Sequence, residues 1–432
     1  MAANKLTRLA ALAAMLLAAA SCIYPFETEI PKASDYPIVV EGNLRIGNYS
    51  SLSISSVHSF DEEDPQDYWL RQESLWIKNC FVYGEDGTQV PATFVPTSFY
   101  ELLAESGVSQ ERIEQLREEN EKTEYSERVY FDTEGLRPDQ RYQIHFETPQ
   151  GGVYETDWLE VCAAPTIDDL VYNKNEEYHE LRIGLSMHCN GSKYFRWTFE
   201  ETWEYHSMFY TELKFNPTTW NIEHFDLGEP NFYYCWKTVP SSSINLFTTE
   251  AQTEDRFEDL AFHCIPLTDT RLQIMYKITV TLESISRGAY SYWNNIRENN
   301  EKQGSIFAPM PSQMVGNVHC QTHPDKKVFG YIDATQPVQA VLWYDNELNK
   351  FFDPSEFSRQ ETDEQKVDNA RLFPGLYRSG HLPYAMGQEE VILPSGMPGI
   401  QTYYMWALAP CVDCRLMGGN KYKPKDWPTD HK

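Results

Sequence analysis

Residues 194–205 read YFRWTFEETWEY, and the alternation in this stretch decides the fold class. Tyr194, Arg196, Thr198, Glu200, Thr202 and Glu204 fall on one face of a period-two element. Phe195, Trp197, Phe199, Glu201, Trp203 and Tyr205 fall on the other. That is the pattern of a half-buried β-strand. Five large rings in one row require a core beneath them. Glu201 interrupts the row, and a carboxylate there needs a partner or a ligand. The simplest partner is an arginine such as Arg182 or Arg271. The alternative makes Glu201, with Trp197 and Trp203, a ligand contact. Glu200 and Glu204 share the polar face and are expected in solvent.

Upstream, short β-branched runs at Pro37–Gly42, Leu52–Ser55, Leu75–Lys78 and Cys80–Tyr83 read as strands, the last ending in the turn Glu85-Asp86-Gly87. Residues 59–68 are acidic and read as a solvated loop. Residues 100–122 break the β pattern. Ser109 is placed to cap a helix with Glu111 in its first turn, and Ile113 and Leu116 give it a narrow apolar edge. An exposed helical insertion is expected there. Leu136-x-Pro138-x-x-x-Tyr142 then enters a strand in the manner of the tyrosine corner of immunoglobulin-like and fibronectin type III sandwiches. A hairpin turning at Gly151-Gly152 follows.

Downstream of the Cys162–Pro165 boundary, 179–188, 235–236, 244–246, 274–282, 328–332 and 338–344 supply further strands. Residues 206–230 look irregular, and 353–370 charged and mobile. Ser286 is expected to cap a helix running to Gln303, and Gln401–Ala409 to be a strand covered on both sides. The predicted architecture is mainly β. Residues 1–21 are a leader, 22–36 a tether, and 37–162 an immunoglobulin-like or fibronectin III-like β-sandwich with a helical insertion near 100–122. Residues 166–432 form a larger β-rich domain with one embedded helix.

The first 21 residues carry Lys5 and Arg8, then a 12-residue apolar run, Leu9–Ala20. The run is too short to span a bilayer and has the layout of a secretory signal peptide. It ends in Ala19-Ala20-Ser21-Cys22, which looks like a bacterial lipobox with Cys22 as the acylated residue. Several acyl chains, at about 0.8 kcal/mol per buried methylene, anchor a protein durably. The formal charge is −28 over 432 residues, and −30 without the leader's Lys5 and Arg8. Such an acidic chain disfavours nucleic acid and electrostatic docking on anionic lipid.

The motifs of nucleophile elbows, zinc proteases, phosphate loops and dinucleotide folds are absent from the sequence. Glycoside hydrolysis needs two carboxylates about 5–10 Å apart, and Glu200, Glu201 and Glu204 are the only clustered candidates of the strand. No catalytic residue and no cofactor is assigned. With Cys22 acylated, eight cysteines remain, an even number suited to disulfides in an oxidising envelope. Cys411-x-x-Cys414 and His319-Cys320-x-x-His323 admit three readings: disulfides pinning the C-terminal segment through Cys320, Cys411 and Cys414, a zinc site, or a redox pair. The disulfide reading is preferred, with no metal assigned.

Several stretches together carry a resemblance. They are the lipobox, Ile38-Val39-Val40-Glu41-Gly42, Arg196–Trp203, Cys235-Trp236, and Ala289–Trp293 leading into Gly304–Phe307. Gly316–Cys320, Gly330-Tyr331 and Cys411–Cys414 complete the set. In these the chain resembles the Bacteroidota envelope lipoproteins catalogued as domain of unknown function 4249. The resemblance implies an outer-membrane lipoprotein acting as a non-enzymatic binding or accessory partner of a TonB-dependent transporter. A glycan-binding or glycan-active surface module is the alternative. The acidic run that often follows the lipidated cysteine of surface-displayed lipoproteins is replaced by Ile23-Tyr24-Pro25-Phe26-Glu27, so the side of the membrane stays open.

Overall fold

The strand expected from the alternation runs from Tyr194 to His206 at the centre of a mainly β structure. The computed structural model describes residues 38–47, 50–56, 76–105, 108–122, 126–226, 232–302, 316–351, 362–392 and 394–428. The leader, Cys22, the tether and the acidic loop at 59–68 lie outside them.

The central strand pairs antiparallel with Met275–Ser284 on one side, and with Tyr234–Pro240 and Asn245–Thr248 on the other. Val338–Asp345 extends the sheet beyond Met275–Ser284. A second sheet is built from Arg256–Pro266, Glu180–His188 and Thr166–Asn175. Phe195, Trp197 and Phe199 join Leu181, Ile183, Ile278 and Leu282 in the core shared by these strands. Fully burying one such side chain contributes about 1.5–3 kcal/mol, which is why the ring-bearing face turns inward.

The N-terminal sandwich has two sheets. One holds Ile38–Arg45, Ser50–Ser56 and Arg128–Phe131; the other holds Lys78–Gly84, Gln89–Pro91, Arg141–Glu147, Val153–Thr156 and Leu159–Glu160. The tyrosine corner is present. Tyr142 is fully buried, and its hydroxyl donates to the Arg137 carbonyl at 2.9 Å and accepts from the Arg137 amide at 2.6 Å. The sandwich also takes strands from far downstream. Val328–Phe329 and Ala334–Thr335 pair parallel with Ile38–Arg45, and Val318–Cys320 pairs with Val153–Thr156. Val318, Cys320, Ile332 and Ala334 therefore share a core with Ile38, Val40, Tyr142 and Phe146.

The helical insertion is two helices, Thr97–Glu105 and Gln110–Glu121, the second capped by Ser109, whose hydroxyl accepts the Arg112 amide. Most of its residues are exposed; Tyr100 and Ile113 are buried and Leu116 is half-buried. Asn120 donates to the Tyr100 hydroxyl at 3.0 Å and Arg117 lies over the Tyr100 ring at 4.9 Å. Ser286 caps the helix Arg287–Lys302 as expected, its hydroxyl accepting the Ala289 amide at 3.1 Å.

Within 206–230, which lacks sequence periodicity, Leu213–Asn216 and Asn221–His224 form a hairpin. Likewise Gln365–Val367 is a strand within the charged stretch, because it pairs with the late hairpin His381–Ile392 and Pro398–Leu408. Within Gln401–Ala409, expected to be covered on both sides, every residue is buried or half-buried. Trp406 and Ala407 are fully buried, Trp406 against Phe215 and Phe373, and exposure begins just before the stretch, at Ile400, which is 70% exposed. Among the described residues no helix is long and apolar enough to cross a membrane.

Candidate functional site

Glu201 is buried in the second core and its Oε1 accepts three hydrogen bonds: from Arg271 at 2.7 Å, Tyr276 at 2.9 Å and the His263 ring at 3.0 Å. Of the two arginines suggested by the sequence, Arg271 is the partner. Arg182 instead bonds Asp259. Burial works to raise the Glu201 pKa. The His263 hydrogen bond, the nearby charges of His263 and Arg271, and the Tyr276 hydroxyl outweigh it and hold the carboxyl below its usual value. Trp197 is buried, and Trp203 is half-buried with Lys237 5.8 Å from its ring centre. Glu201 thus sits in a packed polar cluster with Arg271, Tyr276 and His263, while Trp197 and Trp203 pack in or against the second core.

The polar face divides. Glu200 is exposed, but Glu204 is fully buried and accepts the Trp427 indole N–H at 2.8 Å. The C-terminal segment lies against this half of the strand. The Tyr205 hydroxyl donates to the Cys414 carbonyl at 2.8 Å, and Lys277 reaches Asp426 at 2.6 Å. The expectation that Glu204 is solvated is corrected by that cover.

Cys414 forms a disulfide with Cys235, which ties the segment to the strand beside the central one. Cys411 and Cys320, expected in disulfides as well, form none among the described residues. Geometry separates them. Cys411 packs with Ala407 and Val412, and Cys320 packs in the N-terminal core. His319 pairs with Asp157 at 3.0 Å. Among the described residues no group of three or more His, Cys, Asp or Glu is arranged to hold a metal ion.

A cavity of about 570 Å³ opens between the N-terminal sandwich and the embedded helix. Its walls come from Val39–Asn43 and Arg45, from Arg196 on the polar face of the central strand, and from Tyr292, Trp293 and Ile296 on the helix. Gly330 and Tyr331 close it. Tyr292 and Ile296 are four residues apart, so one helix face presents both. Two glycines set the spacing. A Cβ at Gly330, whose φ is +115°, would lie 1.9 Å from the Val40 carbonyl oxygen. One at Gly288 would lie 2.0 Å from the Tyr331 hydroxyl.

The floor is charged. Glu283, 2% exposed, has Arg45 Nε 3.6 Å from one carboxylate oxygen and Arg196 3.8 Å from the other, and Thr335 donates to it at 3.0 Å. Arg196 also lies over the Trp293 ring, 4.2 Å from its centre. At 3.6–3.8 Å the two guanidiniums are ion-paired without hydrogen bonds, and Arg45 Nε is buried with no hydrogen-bond partner among the described residues. Burial pulls the Arg196 pKa below the usual value; Glu283 opposes this and Arg45 adds to it. Behind the floor, Asp333 accepts the Ser286 amide at 2.7 Å, and burial pushes its pKa up to about 7.

Sequence reasoning did not single out Arg45, Arg196, Trp293 or Tyr331 as a site. The only local signal was an arginine among the small polar residues of an otherwise aromatic strand. Four stretches that carry the family resemblance nevertheless meet at this cavity: Val39–Gly42, Arg196, Tyr292-Trp293 and Gly330-Tyr331.

The family model described as domain of unknown function (DUF4249) matches residues 23–340. A comparison with curated proteins gives no match.

Proposed function

The chain belongs to the DUF4249 family, and from that premise we propose that it is an outer-membrane lipoprotein, anchored through Cys22, that binds a ligand as the accessory partner of a TonB-dependent transporter. The observation that carries the binding half of this reading is the cavity. It is walled by side chains from the sandwich, the central strand and the embedded helix, and its floor holds two guanidiniums that make no hydrogen bond to a described residue. Such a concave site with a few convergent polar groups suits ligand capture. The lipobox supports the anchor, and the −30 charge of the mature chain fits a protein held at a membrane by lipid rather than by charge. The glycan-handling alternative was built on Glu201 in an open cleft; Glu201 is committed to Arg271, Tyr276 and His263.

The test is a pull-down from native membranes in mild detergent, with partners identified by mass spectrometry. A stoichiometric β-barrel transporter, lost in Cys22→Ala, is the expected result. Recovery of the protein alone would overturn the accessory role.

A further inference from the structure

We infer that the cavity between the N-terminal sandwich and the embedded helix is a receptor site for a single carboxylate carried on an apolar, ring-bearing body, with Arg45 and Arg196 as the anion-binding residues. The inference rests on the binding reading of this cavity and adds the ligand class.

Charge comes first. Arg45 and Arg196 share one carboxylate, Glu283, which leaves one net positive charge in the floor. A guanidinium presents planar donors that match a carboxylate two at a time, and donors withdrawn from water without an acceptor are costly. Arg45 Nε is in that condition among the described residues. Arg196 lies over the Trp293 ring, 4.2 Å from its centre, a cation–π contact that restrains the guanidinium before any ligand arrives.

The walls then select the body. Trp293, Tyr292 and Tyr331 supply rings, and Ile296 and Val39 supply aliphatic surface. Tyr292 meets Trp293 edge-on, with ring centres 5.6 Å apart, and lies tilted against Tyr331 at 6.0 Å, so the rings are contiguous but angled to one another. An apolar ring fits such a lining by lying against one ring and meeting the next edge-on.

The rim sets the number of charges. Glu41 lines the cavity and is exposed, and Glu283 is buried against the two lining guanidiniums. A ligand with one negative charge meets the guanidiniums at tolerable cost. A dianion such as phosphate meets two carboxylates as well.

The test is isothermal titration of the full chain in mild detergent with acetate, benzoate, 4-phenylbutyrate, 4-phenylbutyramide and inorganic phosphate. The expected order is 4-phenylbutyrate and benzoate binding at least tenfold more tightly than acetate, the amide or phosphate. Arg196→Gln and Arg45→Gln should each weaken the aromatic acids at least tenfold and leave the amide unchanged. Thermal unfolding of both variants checks that they fold, and Arg196→Lys, which keeps the charge and loses the fork, should fall between. Equal binding of acid and amide, tighter binding of phosphate, acid binding that survives both glutamine variants, or no binding of any acid would each overturn the inference. None of these outcomes bears on the transporter partner, which the membrane pull-down judges separately.

Discussion

Arg271 donates to Glu201 at 2.7 Å inside the second core, joining a short helical turn to the central strand. Breaking one partner of a buried pair leaves the other charge uncompensated. Glu201→Gln is therefore expected to destabilise by roughly 3 kcal/mol, read as a lower denaturant midpoint. The Glu201 pKa is held below its ordinary value, so its contribution is complete above the unfolded-state pKa, about 4.3, and is lost as pH falls through the lower folded value. Between pH 6 and pH 3 the wild type should thus lose more stability than Glu201→Gln. Parallel pH profiles would contradict the assignment.

Asp333 gives the opposite sign. Its folded pKa, about 7, is raised by burial, so the native state holds the proton more tightly than the unfolded chain does. The resulting stability is complete below the unfolded pKa, about 3.9, and disappears as pH rises through about 7. Asp333→Asn keeps an oxygen for the Ser286 amide and cannot ionise. Measured by urea unfolding, wild type should weaken relative to Asp333→Asn from pH 4 to pH 8. A constant difference would remove Asp333 as the cause.

The tyrosine corner predicts a smaller effect. Tyr142→Phe keeps the ring and removes both hydrogen bonds to Arg137. A loss of about 1–2 kcal/mol is expected from equilibrium denaturation, because the Arg137 amide and carbonyl lose a partner in a partly buried setting.

The disulfide joins residues 179 positions apart. Removing a native disulfide commonly costs about 2–5 kcal/mol. Cys235→Ser should lower the thermal midpoint and make 415–428 the first segment cut in limited proteolysis, since that segment is tied to Cys235. Cleavage beginning elsewhere, with 415–428 still protected, would show that Trp427 and Asp426 hold it without the bond.

What was legible in the sequence was local. Alternation at 194–205 revealed which rings are buried, and the Leu136–Tyr142 spacing revealed the corner, because each pattern is complete within one element. Glu204 was misread since its cover, Trp427, is 223 residues away. Cys411 and Cys414 are three residues apart, yet only Cys414 forms a disulfide, because its sulfur meets Cys235 on a distant strand. The cavity was invisible for the same reason: strand, helix and loop residues meet there only after the two cores have packed.

The three strands that 318–335 lends to the N-terminal sandwich impose an order on folding. A growing chain that has reached residue 162 holds every upstream strand of that sandwich, yet Ile38–Arg45 still lacks Val328–Phe329 and Ala334–Thr335 along one border. The sandwich closes only once residue 335 has been made, after the central sheet's strands through Ser284 are already available to pair. Such non-local closure is slow, and it leaves an open sheet border exposed in the interval. A nascent chain of this kind depends on being kept apart from its neighbours until its own downstream strands arrive.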